Sequence, residues 1–130
     1  MFNARLHPFS QTVLLQSDPA ADFIANIFRF PTAGQVLGAY AVNDANIASA
    51  TDMVAIHILN KGTSGTATAT TVTTFADTVG WTADVPRTGT VANTKFAAGE
   101  WVAVSYDESG TGLPTRMTIQ VDYMLNAYEN

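Results

Sequence analysis

Arg116-Met117-Thr118-Ile119-Gln120-Val121-Asp122-Tyr123 alternates polar and apolar side chains without a break. Successive side chains of a strand point to opposite faces, so Met117, Ile119, Val121 and Tyr123 share one face. Arg116, Thr118, Gln120 and Asp122 share the other. A helix would scatter the four apolar groups around most of its circumference. The segment therefore predicts a strand with one buried and one wet face, and it sets the fold class as all-β. Gly110-Thr111-Gly112 and Leu113-Pro114 before it are turn chemistry. Upstream, Trp101-Val102-Ala103-Val104-Ser105-Tyr106 is introduced by Ala98-Gly99-Glu100 and closed by Asp107-Glu108-Ser109-Gly110. Two strands joined by a Gly-rich loop predict an antiparallel hairpin.

Two further strands are nearly as plain. Gln35–Val42 follows the turn Pro31-Thr32-Ala33-Gly34, and Met53–Leu59 lies between Thr51-Asp52 and Asn60-Lys61-Gly62. Both faces of Met53–Leu59 are apolar, which suits a strand covered on both sides. Phe23–Phe30 is read as a strand for its aromatic and β-branched content and the Pro31 that follows. Asp18-Pro19 leaves room for a helical turn ahead of it, with Asp as N-cap and Pro at the first position. The threonine-rich run Thr63–Phe75 lacks the prolines of a mucin-like stalk, and β-branched threonine predicts an exposed or edge strand. Residues 1–16 are apolar at Phe2, Leu6, Phe9, Val13, Leu14 and Leu15, but Pro8 interrupts any regular element. Such a segment is expected to lie on its own domain or on a partner. The expected organisation is an extended N-terminal arm over 1–22 and one antiparallel β-sandwich domain over 23–130.

The 130 residues suffice for one core without disulfides, and 47% hydrophobic against 13% charged residues argues against disorder. With no cysteine, the redox compartment is unreadable and thiolate chemistry is excluded. The net charge is −5, and the cations Arg5, Arg29, Lys61, Arg87, Lys95 and Arg116 are scattered along the chain. No basic stripe for nucleic acid is visible in that distribution. No apolar run approaches the roughly 20 residues needed to span a bilayer, and Met1–Pro8 lacks the core of a signal peptide. The expectation is an unprocessed soluble protein with neither nucleic-acid nor membrane partners.

The search for chemistry finds little. His7 and His57 are the histidines, without a nucleophile elbow, and His57 in an apolar strand reads as a partly buried or interface residue. Asp44, Asp52, Asp107 and Glu108 fall near strand ends, but no stretch has the alternating carboxylates and glycine of a calcium loop. Zinc ligands are too few, and no phosphate-binding glycine loop occurs. A carboxylate pair for glycosidic cleavage could be drawn from Glu100, Asp107, Glu108 and Asp122, but nothing marks a cleft. The expectation is a non-enzymatic protein with no cofactor and no metal. Trp81, in Gly80-Trp81-Thr82, is less clearly core and reads as a possible surface anchor.

From Phe28 to Tyr123 the chain resembles the small β-sandwich proteins that decorate bacteriophage capsids, the cement and head-spike proteins. The resemblance rests on Phe30-Pro31 and Gly34 before the strand Val36–Val42, and on Asn46-Ile47-Ala48-Ser49-Ala50 leading into Met53–Leu59. It continues in the turn Asn60–Thr66, and in Phe96–Glu100 entering a strand that ends in Tyr106-Asp107-Glu108-Ser109-Gly110-Thr111-Gly112. It implies a jelly-roll-like sandwich on the exterior of a virion, a homotrimer, and the major capsid protein as partner. Phe2, Leu6, Phe9 and Leu14 of the arm, with Met53 and His57, would then form the capsid and subunit interfaces. The alternative on the same architecture is a carbohydrate-binding module, with Trp81 or Tyr128 stacking on a host-surface glycan.

Overall fold

The structure, a computed structural model, describes residues 8–16, 22–47, 52–76, 80–110 and 116–126. Met117, Ile119 and Val121 are fully buried while Arg116 and Thr118 are exposed, as the alternation requires. This strand is the last of ten: β1 (Pro8–Gln16), β2 (Phe23–Arg29), β3 (Gly34–Asn43), β4 (Asp52–Asn60), β5 (Thr70–Phe75), β6 (Arg87–Thr88), β7 (Thr90–Val91), β8 (Lys95–Phe96), β9 (Trp101–Gly110) and β10 (Arg116–Leu125). No described residue is helical.

The strands form two five-stranded antiparallel sheets. The first runs β1-β10-β3-β6, with β8 also paired to β3, and the second runs β2-β9-β4-β5-β7. The pairing is nested: β1 meets β10, β2 meets β9, β3 meets β6 and β8, and β4 meets β5. The chain is thus one long hairpin, doubled back at the β4–β5 connection and wound so that β10 also pairs with β3 and β9 with β4. That winding is a jelly roll. The core lies between the sheets, with Val36, Ala39, Ala41, Met117, Ile119 and Val121 from one and Val54, Ile56, Ile58, Val102, Val104 and Tyr106 from the other.

Three expectations are corrected. First, Trp101–Tyr106 and Met117–Tyr123 do not pair: β9 lies between β2 and β4, and β10 between β1 and β3. Periodicity identifies the buried face of a strand but not its neighbour, and the loop between them connects the two sheets. Second, Pro8 does not interrupt the N-terminal segment. Pro8–Gln16 pairs continuously with Met124–Arg116. Pro8 is the first residue of an edge strand, where a missing N–H costs no ladder bond, so it starts the element instead of interrupting it. Third, the threonine-rich run divides. Only Thr70–Phe75 is strand, and β7 pairs along it, so Val72 and Thr73 are buried. The helical turn considered at Asp18-Pro19 lies outside the described residues.

β4 has one face in the core through Val54, Ile56 and Ile58. Its other face is covered only in part: Leu59 is buried, while Ala55 and His57 are half-buried. Part of the cover comes from the loop after β4, where the Asn26 side chain donates to the Gly65 carbonyl at 3.3 Å. Gly65 has a φ of 70°, and a side chain there would run into the Asn26 amide.

Candidate interaction surfaces

The residues expected to form interfaces fall in different places. Phe2 and Leu6 lie outside the described residues, as does the side chain of Met53. Leu14, on the outer face of its sheet opposite Thr118, is 61% exposed. Phe9 is opposite Tyr123 and stacks on it, with ring centroids 5.6 Å apart. It is 46% exposed, so it is a half-covered member of an aromatic cluster and not a free anchor. Tyr123 also meets Phe28 of β2 at 4.9 Å and Phe30 edge-on at 5.4 Å, and Phe30 stacks on Phe96 at 4.6 Å. Tyr123 therefore ties the edge strand of one sheet to the edge strand of the other.

Trp81 is the clearest correction. It is 2% exposed, and its indole N–H donates to the Val54 carbonyl at 3.3 Å. Its backbone bridges to Ile47, and the Arg87 guanidinium sits 4.3 Å from the ring centroid. Burial pushes the Arg87 pKa below its ordinary value. No face of this ring is open to a sugar, so stacking of a glycan on Trp81 is ruled out by its packing. A lone tryptophan beside glycine gave no period by which to assign its burial. Tyr128 lies outside the described residues.

His57 lies in a cross-strand row on the outer face of the second sheet: Ile24, Ser105, His57, Thr74 and Thr90 stand opposite one another in turn. Its Nδ1 is 3.3 Å from the Thr74 hydroxyl and its Nε2 is 3.4 Å from Asp107, an ion pair when the imidazole is protonated. The Ser105 hydroxyl donates to the same Asp107 oxygen at 3.3 Å. Hydroxyl, imidazole and carboxylate stand in the order of a nucleophilic relay. The row lies on a sheet face, where backbone N–H groups point along the sheet into the ladder. The Ser105 hydroxyl is also directed to the carboxylate and not to the imidazole. Among the described residues, no three His, Asp or Glu side chains gather in a way that could hold a metal ion.

The sheet edges differ sharply. β6, β7 and β8 are two residues each, too short to template another strand. β2 has a register shift between Asn26 and Phe28 and ends on exposed Arg29. β1 has neither device: its nine residues are in unbroken register, none is charged, and no described strand pairs with its outer edge. Sequence reading found the apolar residues of this strand but not its edge. It missed Ile24, Leu37, Tyr40 and Val85 as exposed apolar groups. Alternation in Phe23–Phe30 carried the signal for Ile24, which stands on the face opposite Phe23.

The fold is a jelly-roll sandwich with its core between the two sheets. No family model matches the chain, and no curated protein does. Among solved structures it is similar to a chain of the cyanophage Pam1 capsid asymmetric unit, with 18% identity and a TM-score of 0.57. That match covers 93% of this chain and 85% of the other. It is also similar to a chain of the acid-stable capsid of Helicobacter pylori bacteriophage KHP30, at 10% identity and a TM-score of 0.56, covering 93% of this chain and 94% of that one. At such identities the likeness is one of fold. Both neighbours are chains of phage capsids.

Proposed function

We propose that the protein is a structural component of a phage virion, placed on the outer surface of the head, where it binds the major capsid protein and stabilises or decorates the shell. One observation carries the reading: the fold is shared along nearly the whole length of two capsid chains, 85% of one and 94% of the other. A jelly roll serves many functions, so a match to a domain within a larger protein would carry less weight than agreement over entire chains. On this reading the protein acts by contact and not by catalysis. The copies would associate as a homotrimer through the outer face of the second sheet, where the half-buried Ala55, His57 and Thr74 lie.

The test is made on particles purified from the virus whose genome encodes the chain. The expected result is the chain at fixed stoichiometry to the major capsid protein, labelled by a membrane-impermeant amine reagent on intact particles. Its absence from purified particles would overturn the virion reading. Labelling only after the particles are opened would overturn the exterior placement.

A further inference from the structure

We infer that the outer edge of β1, which no described strand covers, pairs antiparallel with β1 of a second copy of this chain, about a twofold axis through Thr12. An open ladder edge presents N–H and C=O groups that another extended backbone satisfies, so the natural occupant is a strand. The composition of β1 selects which strand. A strand of a different partner could gain from complementary charge, whereas pairing with its own copy sets the residue on the twofold axis against itself, where like charges would be destabilising. Pro8–Gln16 is free of charge along its whole length, so it can meet its own copy with no like-charge contact and offers another chain no charge to complement.

The register is self-matching. With Thr12 opposite Thr12, Gln11 meets Val13, Ser10 meets Leu14, Phe9 meets Leu15 and Pro8 meets Gln16. A twofold axis perpendicular to the sheet keeps each residue on its own face. Phe9 and Leu15 thus meet on the core side, and Ser10, Thr12 and Leu14 meet on the outer side. Thr12 against Thr12 is a favourable cross-strand pair. The missing N–H of Pro8 falls at the end of the ladder, where it removes the least. The first sheets of the two copies then join into one continuous sheet through β10-β1-β1-β10. An isologous contact of this kind is closed: it uses the β1 edge of both copies. Its surface is separate from the outer face of the second sheet, so it is compatible with a trimer formed there.

The contact is tested on the purified chain and does not depend on the virion reading. The chain has no cysteine, so T12C introduces a single thiol. Directly opposed residues of an antiparallel pair have Cα atoms about 4.5–5.5 Å apart, within disulfide range. T12C should oxidise to a covalent dimer roughly tenfold or more faster than T118C, which lies on the same face one strand inward, because pairing raises the effective thiol concentration. A second variant, T12K, should keep the folded circular dichroism spectrum and halve the oligomer mass measured by light scattering. Equal oxidation rates for T12C and T118C, or a mass unchanged by T12K, would overturn the inference.

Discussion

β1 and β2 are both edge strands, one in each sheet, and both reach the same ring of Tyr123, yet they meet solvent in opposite ways. β2 is broken by a bulge at Ile27 and closed by Arg29, features that blunt an edge against another strand. β1 runs straight for nine residues without a charge. The difference teaches that two edges of one sandwich can be left in opposite states: among the described strands, β1 is the long edge with neither bulge nor charge. The three two-residue strands show that this fold has the means to blunt an edge.

The comparison can be broken most severely from beneath. Phe30 is fully buried and packs on Phe28, Phe96 and Tyr123, so it supports both edges at once. Phe30→Ala should cost about 3–5 kcal/mol, read by denaturant unfolding, and should loosen both strands. A smaller effect separates them. Phe28 is packed against the core and Phe9 is half exposed. Phe28→Ala should therefore cost about 2–3 kcal/mol and Phe9→Ala about 1 kcal/mol, in proportion to the apolar area removed from water. Equal losses would mean that β1 is as firmly held as β2.

A change of opposite sign lies away from both edges. The Thr73 hydroxyl is buried with no hydrogen-bond partner. Replacing it by the isosteric Val removes a desolvated polar group, so Thr73→Val should raise stability by about 1 kcal/mol and raise the Tm. The smallest effect is expected on the outer face of β1. Leu14 is 61% exposed, and Leu14→Ser should change monomer stability by no more than about 0.5 kcal/mol. A larger loss would show that Leu14 is covered within the single chain.

Much of this architecture was legible in the sequence, for reasons that also set the limit. β3, β4, β9 and β10 were readable because their alternation or apolar density is enforced by a core on one side. Their partners were not, because β10 obeys the same period whether it pairs with β9 or with β1 and β3. β1 was hidden by Pro8, which is disruptive inside a strand and harmless at the start of an edge. His57, expected in an apolar strand, is half-buried there, but its partners Thr74 and Asp107 come from β5 and β9 and depend on sheet order. Trp81 misled because its burial comes from long-range contacts with Val54, Ile47 and Arg87.

Amide hydrogen exchange of the purified chain at low and high protein concentration tests the central contrast most directly. The account predicts that protection rises with concentration in residues 8–16 and stays constant in residues 23–29. Protection gained in 23–29, or none gained in 8–16, would contradict it.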